Sequence, residues 1–309
     1  EEVVITGYAV TTKKAFTGSA STLLSDKIKE KKDINPIKAL EATVPGLQMN
    51  TSSGQPGAPS NILIRGRGSI NSGTQPFYVK DGVQMEEGTW GMRASEGQEF
   101  TPLANLNPND IETITVLKDA TATSIYGSRA ANGVIVITTK SGKRGSGTQI
   151  NFDVSLGWED LPNFTNNYKL TNKSEYLELW YEAIKNISTN EDGSPYTTEQ
   201  AKADFWDLAD WYFEGEINEE NAADVNWLDE VTRKGFVQDY NFSISSPGKG
   251  KNAPNYYFSF NRTDNKAFIR GKDFEKTSLT FNLNHSPIDL IEYGVNNQLS
   301  FTKINMGAG

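Results

Sequence analysis

The chain has 309 residues, carries 39 acidic side chains against 30 basic ones, and contains no cysteine and one histidine. Without cysteines there are no disulfides, thiolate nucleophiles or cysteine metal sites, and one histidine argues against a histidine metal cluster or a catalytic triad; we therefore expect no cofactor, metal or catalytic residue. The net charge of -9 argues against a nucleic-acid partner, because phosphates attract a basic face. No run approaches the roughly 20 apolar residues that a membrane helix requires, whereas the alternating strands of a transmembrane β-barrel stay compatible with this sequence.

The first eight residues, EEVVITGY, place the β-branched run Val3, Val4 and Ile5 before a glycine. This pattern predicts an extended segment, which taken alone is typical of an N-terminal edge strand. Glu1 and Glu2 supply neither the basic region nor the apolar core of a signal peptide, so we expect the sequence to begin at a mature or trimmed end.

The next segments alternate short elements with turns. Residues 11–35 are polar, and we interpret them as a linker that leads into a short strand. Pro36 suits the first turn of a helix over residues 37–44, which a Pro-Gly pair then ends. A strand over residues 61–65 is followed by an Arg-Gly-Arg-Gly run; because no helix follows this run, its glycines predict a tight bend rather than a phosphate loop.

Residues 105–143 have the pattern of one supersecondary unit. A β-rich run from Ile111 to Leu117 predicts a strand, and the small-residue segment 119–126 predicts a helix of about two turns. After a turn at Asn132-Gly133, residues 134–137 are four consecutive β-branched residues. Such a run predicts a strand that is covered on both faces.

From Thr148 onward, apolar and polar residues alternate with a period of two, over lengths close to one membrane crossing. Each such strand would have one apolar and one polar face, as a membrane barrel with a wet lumen requires. Five segments show the pattern, around residues 152–158, 240–244, 256–260, 279–283 and 293–301. The connections between these segments include short turns at 247–254 and 286–287 and an outer loop at 264–273. One long connection is rich in acidic and aromatic residues, and it contains predicted helices at 174–187, 198–213 and 227–233. Residues 171–174, at the start of the first helix, resemble a capping box.

Four stretches of the sequence resemble the plug-domain signature of SusC/RagA-type TonB-dependent outer-membrane transporters. They are VPGLQM at 44–49, ILIRGRGSI at 62–70, PFYVKDGV at 76–83 and LNPNDIETITVLKDATATSIYGSRAANGVIVITTKSGK at 106–143, in the family's order. The resemblance implies an α+β plug domain, a small mixed sheet with short helices, followed by the start of an antiparallel transmembrane β-barrel. The family's barrel has 22 strands and only about five are present, so we expect the chain to be a fragment.

The resemblance also implies a domain order. Residues 1–10 would be a TonB box, residues 11–146 the plug domain, and residues 147–309 the first part of the barrel in the outer membrane. The barrel part would include a helical extracellular loop at about 159–235. Since short barrel turns face the periplasm and long loops face outward, the long connection falls on the outer side.

The implied function is energy-coupled import of oligosaccharides, less often peptides, with no chemistry performed on the substrate. The implied partners are a SusD-like surface lipoprotein as lid, TonB with ExbB and ExbD as the energy source, and outer-membrane lipid around the barrel. Two alternatives stay open: a transporter for siderophores or vitamins, and a secreted carbohydrate-active enzyme or carbohydrate-binding β-protein. The enzyme would need paired carboxylates in a cleft, and the acidic residues here fall in no such motif.

The TonB box implied by the resemblance consists of Val3, Val4, Ile5 and Thr6. The family usually continues with Gly-Tyr-Gly, where this chain has an alanine at residue 9. Such a box has to stay extended so that it can add as a strand to the edge of a partner's sheet.

The resemblance further implies that the plug arginines Arg65 and Arg129 pair with carboxylates on the barrel wall. Lys80 stands where the family usually has an aliphatic residue, and we expect this position to be more exposed than is usual in the family.

The loop over residues 85–102 has two interpretations. It is either an ordinary solvated loop or an apex of the plug that faces the substrate cavity. In the second case Trp90 would offer a stacking face, and Arg93 and Glu96 would offer hydrogen bonds.

Overall fold

The computed structural model describes residues 3–5, 10–12, 19–31, 33, 35–41, 43–51, 60–66, 74–85, 102–119, 123–142, 147–161, 171–213, 217–248, 252–288 and 290–306. The chain divides into two compact units, one formed by residues 1–159 with 235–309 and one formed by residues 160–234. Among the described residues, no helix has both the length and the apolar character that crossing a membrane demands.

The first unit contains an α+β part, residues 19–142, which we call the plug. Its elements are β3 Ala20–Leu24, α1 Ser25–Glu30, β4 Leu47–Thr51, β5 Ser60–Ile64, β6 Phe77–Lys80, β7 Val83–Gln84, β8 Ile111–Leu117 and β9 Val134–Thr139, with 3₁₀ turns at Pro36–Leu40, Pro102–Asn105, Pro108–Asp110, Ser124–Tyr126 and Ser128–Ala130. Before it in the chain come β1 Val3–Ile5 and β2 Val10–Thr12, which pair antiparallel with each other. The main sheet of the plug has five strands in the order β3-β8-β9-β6-β7, and β4 pairs antiparallel with β5.

Strand β9 is the core of the plug. Residues 134–137 are at most 1% exposed, and they alternate between two hydrophobic clusters, Ile135 and Ile137 on one side and Val134 and Val136 on the other. The predicted strand covered on both faces is confirmed. The glycine before it is required, because Gly133 has φ +94° and a Cβ there would lie 2.8 Å from the Cδ1 of Ile64.

Of the helix predicted at 119–126, residues 120–122 lie outside the described residues; the Thr123 N–H donates to the Asp119 carbonyl oxygen at 3.0 Å, which is α-helical spacing, and the 3₁₀ turn Ser124–Tyr126 follows. Two other local predictions in the plug were wrong in detail. The element after Pro36 is a five-residue 3₁₀ helix, Pro36–Leu40, that ends before the predicted helix would. The segment interpreted as a linker contains the predicted strand, β3, and also α1.

The other part of the first unit is an antiparallel sheet of five sequential strands, which we call the wall. Its strands are β10 Gln149–Glu159, β11 Gly235–Ser246, β12 Asn255–Lys266, β13 Lys272–Ile288 and β14 Ile291–Met306. All five predicted strands are confirmed. The turn predicted at 286–287 was wrong: β13 continues to Ile288, and its pairing with β14 shifts between His285 and Ile288. Pro287 is tolerated there because an irregular ladder leaves room for a residue without an N–H.

In the second unit, residues 160–234, the described residues form three helices: α2 Lys173–Ile187, α3 Thr198–Tyr212 and α4 Trp227–Val231. Helices α2 and α3 pack through Leu177, Tyr181 and Ala201. Both begin with a capping box, Asn172 with Glu175 and Thr197 with Gln200. The three predicted helices are confirmed, while the N-cap of the first lies one residue later than the sequence suggested.

Candidate functional site

The wall has two chemically different faces. Cross-strand partners such as Phe152 and Phe242, or Phe258 and Phe281, place aromatic side chains on one face, where many of them are exposed. The opposite face carries amide and hydroxyl side chains, and these are buried because the plug lies against them: Asn241, Ser243, Ser259, Asn261, Thr263, Ser278, Thr280 and Asn282. The candidate site is this contact between the plug and the polar face of the wall.

Asp110 is central to the contact. It ends the 3₁₀ turn Pro108–Asp110, directly before β8, and it is 3% exposed. Its Oδ1 accepts a hydrogen bond of 2.9 Å from the Tyr257 hydroxyl of β12, and its Oδ2 accepts one of 2.6 Å from the Thr280 hydroxyl of β13. A carboxylate can be buried only where hydrogen-bond donors replace the water that hydrates it. The wall supplies these donors, so the buried position of Asp110 depends on the plug being docked on the wall.

A lysine reaches in the opposite direction, from wall to plug. Lys276 of β13 is 1% exposed, and its Nζ donates to the carbonyl oxygens of Ala104 at 3.2 Å and Leu106 at 2.9 Å. These carbonyls lie at the end of a 3₁₀ turn and just after it, where helix geometry leaves acceptors unused. The amine therefore caps a plug segment that is only a few residues from Asp110.

The same plug segment contacts two more strands of the wall. Asn105 accepts from Gln298 on its carbonyl oxygen at 3.0 Å and from the Thr302 hydroxyl on its Oδ1 at 2.8 Å, both from β14. Asn107 donates from Nδ2 to the Oδ1 of Asn241 on β11, at 3.0 Å. Residues 104–110 are thus held by strands β11, β12, β13 and β14. We call this set of contacts the clamp.

A second set of contacts lies at the end of β9. Asn282 donates to the Thr139 hydroxyl at 2.9 Å and to the Lys140 carbonyl oxygen at 2.7 Å, and Asn255 donates to the Gly142 carbonyl oxygen at 2.8 Å. The backbones approach closely here, since a Cβ at Gly142 would overlap the carbonyl oxygen of Ser246. Only glycine fits at this position.

Two plug lysines in this contact, Lys80 and Lys140, have a lowered pKa. Burial lowers the pKa of Lys80, against the opposing effect of the carboxylates Asp81 and Asp110. Lys80 is half-buried and donates to the Oε1 of Gln298, so the expectation that this position is more exposed than in the family stays a prediction. Burial, reinforced by the positive charge of Lys29, lowers the pKa of Lys140 to about 8, although Asp110, Glu112 and Asp153 act in the opposite direction. The Lys140 amine donates to the Asn109 carbonyl oxygen at 2.7 Å.

The site residues inferred from the sequence lie elsewhere. Val3–Ile5 is strand β1, with Val4 opposite Thr11 of β2; Thr6 is outside the described residues, as are Trp90, Arg93 and Glu96. Their proposed roles stay predictions.

The two arginines are described. Arg65 is exposed with φ +61°, and its N–H donates to the Gly46 carbonyl oxygen at 2.8 Å. The guanidinium of Arg129 lies 5.2 Å from the centre of the Phe77 ring. Within the described part of the chain, neither arginine forms an ion pair with the wall, and the pairing stays a prediction.

Sequence reasoning missed the clamp. The Asn-Pro-Asn-Asp run predicts a capped turn, since Asn107 accepts from the Asn109 N–H at 3.0 Å, but the run alone does not show that Asp110 points at another part of the chain. Among the described residues, no group of histidines and carboxylates is arranged to hold a metal ion.

Comparisons with known proteins agree with this architecture. Residues 12–134 match the TonB-dependent Receptor Plug Domain. The TonB-dependent receptor SusC of Bacteroides thetaiotaomicron is 31% identical over 288 residues, which cover 92% of this chain and 24% of the relative. The ferric enterobactin receptor PirA of Pseudomonas aeruginosa is 32% identical over 127 residues, covering 39% of this chain and 16% of that protein.

A solved structure gives the same result for the fold. The RagAB peptide importer in its "open-open" state superimposes with a TM-score of 0.78 at 28% identity, covering 98% of this chain and 32% of that one. The chain therefore spans about a quarter to a third of the length of SusC and of the RagAB structure.

A plug docked on the polar face of an antiparallel wall defines the chain as part of a TonB-dependent receptor. Within that class, the match to SusC and to RagAB runs through both the plug and the wall. The chain belongs to the SusC/RagA type, of which it contains the plug domain and the first strands of the barrel.

Proposed function

We propose that the chain is the plug and first barrel portion of an energy-coupled importer in the bacterial outer membrane, which takes up oligosaccharides or, as the second choice, peptides. The observation that carries this proposal is the wall, whose apolar face is exposed and whose polar face is covered by the plug. An apolar outer face suits lipid, and a polar inner face suits a wet lumen. Because the plug occupies that lumen, a solute crosses only when the plug moves.

The extent of sequence similarity supports this choice of substrate class. The sequence of the ferric enterobactin receptor PirA is similar over 39% of the chain, whereas that of SusC is similar over 92%, through both plug and wall. This favours an oligosaccharide or peptide over a siderophore. We assign the substrate-facing apex of the plug to Trp90 as a stacking face, with Arg93 and Glu96 as hydrogen-bonding groups.

The proposed domain order is a TonB box at 1–10, the plug at 11–146 and the barrel part at 147–309, with an extracellular helical loop at about 159–235. A SusD-like surface lipoprotein serves as lid, and TonB with ExbB and ExbD supplies energy. The arginines Arg65 and Arg129 pair with carboxylates contributed by the barrel. No chemistry is performed on the solute, as befits a chain whose relatives are receptors and importers.

The TonB box is the part of this proposal that a single substitution tests best. Within the described residues β1 pairs with β2 alone, so its second edge can accept a partner strand. Proline at Val4 removes a backbone donor and fixes φ, which breaks an added strand at its centre, whereas alanine leaves the backbone free.

The experiment uses the full-length protein in cells, with a panel of labelled oligosaccharides and peptides. We expect Val4→Pro cells to bind a panel member at their surface but not to accumulate it, while Val4→Ala cells accumulate it as the wild type does. Accumulation by the proline variant at the wild-type rate would show that residues 1–10 do not couple energy to import. A wild type that takes up no member of either class would refute the proposed substrates.

A further inference from the structure

The second unit, residues 160–234, carries the negative charge of the chain. It contains 17 of the 39 acidic side chains and 6 of the 30 basic ones, which is a net charge of -11. The other 22 acidic and 24 basic side chains, in the first unit, give a net charge of +2. Four of the six tryptophans also lie in the second unit. The unit therefore combines negative charge with aromatic side chains, and their positions on α2 and α3 indicate what they can bind.

Helices α2 and α3 run antiparallel and pack side by side. The chain reverses in the connection between them, where Thr189 and Pro195 form an isolated β-bridge. In the first turn of α3, the Gln200 side chain donates to the Oδ1 of Asn190, three residues after the end of α2, at 2.8 Å. The pair therefore has two broad sides, each formed by both helices.

One of these sides is apolar and exposed. On α2, Tyr176, Trp180 and Ile187 are separated by four and seven residues, which places them on one helix face, and all three are exposed. The centre of the Trp180 ring lies 6.4 Å from that of Tyr176 and 6.1 Å from that of Phe205 on α3. The apolar surface of α2 therefore continues onto α3.

On α3 the same surface extends to the end of the helix. Leu208 and Tyr212 follow Phe205 by three and seven residues, which places them on its side of the helix, and they are 63% and 70% exposed. We call the whole surface the apolar face; it consists of Tyr176, Trp180, Ile187, Phe205, Leu208 and Tyr212. Exposed apolar side chains that are contiguous in this way mark a surface that binds another molecule.

Carboxylates border the apolar face on α3. Asp204 and Asp207 precede Leu208 and Trp211 by four residues, so each carboxylate lies one turn from an exposed apolar side chain. Asp204 accepts a hydrogen bond from the Tyr196 hydroxyl. Asp207 is exposed and forms no ion pair with a described residue, so it is available to a cation from outside.

The lysines of the two helices are directed elsewhere. The Lys173 amine donates to two carbonyl oxygens of the segment 219–222, both at 2.6 Å. The Lys202 amine lies 5.4 Å from the centre of the Tyr181 ring, outside the apolar face. Lys185 lies about half a turn around α2 from the apolar face, by its place in the helical repeat. The apolar face therefore has carboxylates at its border and none of these three lysines.

The composition of the apolar face favours a peptide over an oligosaccharide. A sugar stacks on a flat ring, and Ile187 and Leu208 offer no ring, whereas apolar amino-acid side chains pack against rings and aliphatic groups alike. The negative charge of the unit attracts lysine and arginine, and exposed aromatic rings add a favourable contact with the same cations. The face therefore fits a chain that carries both apolar and basic side chains.

We propose that the apolar face of α2 and α3 binds peptides that combine apolar residues with lysine or arginine, and that the second unit collects such peptides for import. Acidic peptides are repelled by the same charge. This inference rests on the proposed import function and selects peptides from its two solute classes.

The test measures binding to the full-length protein in detergent by fluorescence anisotropy, so that no energy coupling is involved. The probes are a short labelled peptide that alternates leucine and tryptophan with lysine, its counterpart with glutamate in place of every lysine, and a labelled neutral oligosaccharide.

Three variants locate the binding site. Asp207→Lys reverses the charge at the border of the apolar face, and Leu208→Ser with Tyr212→Ser removes apolar groups from its centre. The matched control Glu178→Lys makes the same charge change on α2, two residues from Tyr176 and from Trp180, where the side chain is turned away from the face. All of these positions are exposed, and thermal unfolding checks that the variants keep the fold.

We expect the wild type to bind the basic peptide at least about tenfold more tightly than the acidic one, with an affinity that falls as salt is added. Asp207→Lys should weaken binding of the basic peptide about fivefold and the double serine variant about tenfold, while Glu178→Lys changes it less than about twofold.

Equal affinity for the basic and acidic peptides would overturn the proposal, and so would an equal loss of affinity in Asp207→Lys and Glu178→Lys. Oligosaccharide binding that the double serine variant loses would assign the face to sugars instead. Peptide binding that stays unchanged in that variant, while a co-purified protein subunit dissociates, would assign it to a protein partner. Uptake by cells is measured separately: a wild type that binds the basic peptide but accumulates no solute would refute import and leave the binding site standing.

Discussion

Replacing Asp110 with asparagine should loosen the docked plug without unfolding either part. The carboxylate accepts hydrogen bonds from Tyr257 and Thr280, and a hydrogen bond to a charged group contributes about 1.5–3 kcal/mol. Asparagine has one oxygen in place of two and turns an NH₂ group toward a hydroxyl that had been a donor. One strong bond is lost and a weaker one replaces the other, so docking should weaken by about 3 kcal/mol.

The measurement is the urea concentration at which the full-length protein, inserted in a planar lipid bilayer, becomes conductive because the plug has left the lumen. With a denaturant slope of about 1.5–2 kcal/mol per molar, a loss of about 3 kcal/mol lowers this concentration by about 1.5–2 M. Tyr257→Phe and Thr280→Val each remove one donor and should give about half the shift. Glu41→Gln makes the same chemical change at an exposed position of the plug and should leave the midpoint unchanged.

A midpoint for Asp110→Asn that equals the wild type would refute the reasoning. It would mean that the two bonds to the wall are replaced by water at no cost, and that the plug is retained by other contacts. An equal shift in Glu41→Gln would point instead to a general effect of charge.

Two further predictions concern the plug. Val136→Asp should prevent the plug from folding, because it places a charge in a strand buried on both faces, at a cost of more than about 4 kcal/mol. Limited proteolysis of the full-length protein should then cleave the plug. The control Val83→Asp, at an exposed position of β7, should resist the protease as the wild type does. For Lys140, a folded-state pKa of about 8 below the ordinary 10.5 means that the docked plug disfavours the charged amine. The docked plug should therefore gain about 1–2 kcal/mol of stability as the pH rises from about 8 to about 10.5 and stay at its lower stability below about pH 8, and Lys140→Met should remove that part of the pH dependence of the urea midpoint.

The parts of the fold that the sequence predicts well are those with a local signal. Residues 134–137 are buried on both faces because four β-branched residues in a row leave no polar side for water. The wall strands are recognisable because alternation is the direct consequence of a strand with lipid on one face and polar contacts on the other. Short elements were harder, and the 3₁₀ turn after Pro36 and helix α1 show why: few residues carry the pattern, and tertiary contacts decide the rest.

The clamp could not be predicted in the same way, because its pairs are far apart in the chain. Asp110 and Thr280 are separated by 170 residues, and nothing near either residue indicates the other. Lys276 occupies the polar face of an alternating strand, where it looks like any solvated lysine until the plug covers it. The family resemblance directed attention to Arg65 and Arg129, while the described contacts rest on a carboxylate, a lysine and a set of asparagines.

The polar character of the contact has a physical reason. If apolar side chains held the plug, each release of the plug would expose their surface to water, at a cost of about 25 cal/mol per Å². The lumen would then present an apolar surface to a polar solute. Hydrogen bonds of the kind made by Asn241, Asn282 and Thr302 exchange with water at a net cost of only about 0.5–1.5 kcal/mol each. Many such bonds together hold the plug firmly on the wall. Where there are few of them, the contact between plug and wall opens more easily. Because the bonds concentrate on residues 104–110 and 139–142, and one partly exposed ion pair, Lys29 with Asp153, joins α1 to the wall among the described residues, the contact should yield first at β10 and last at strands β11 to β14.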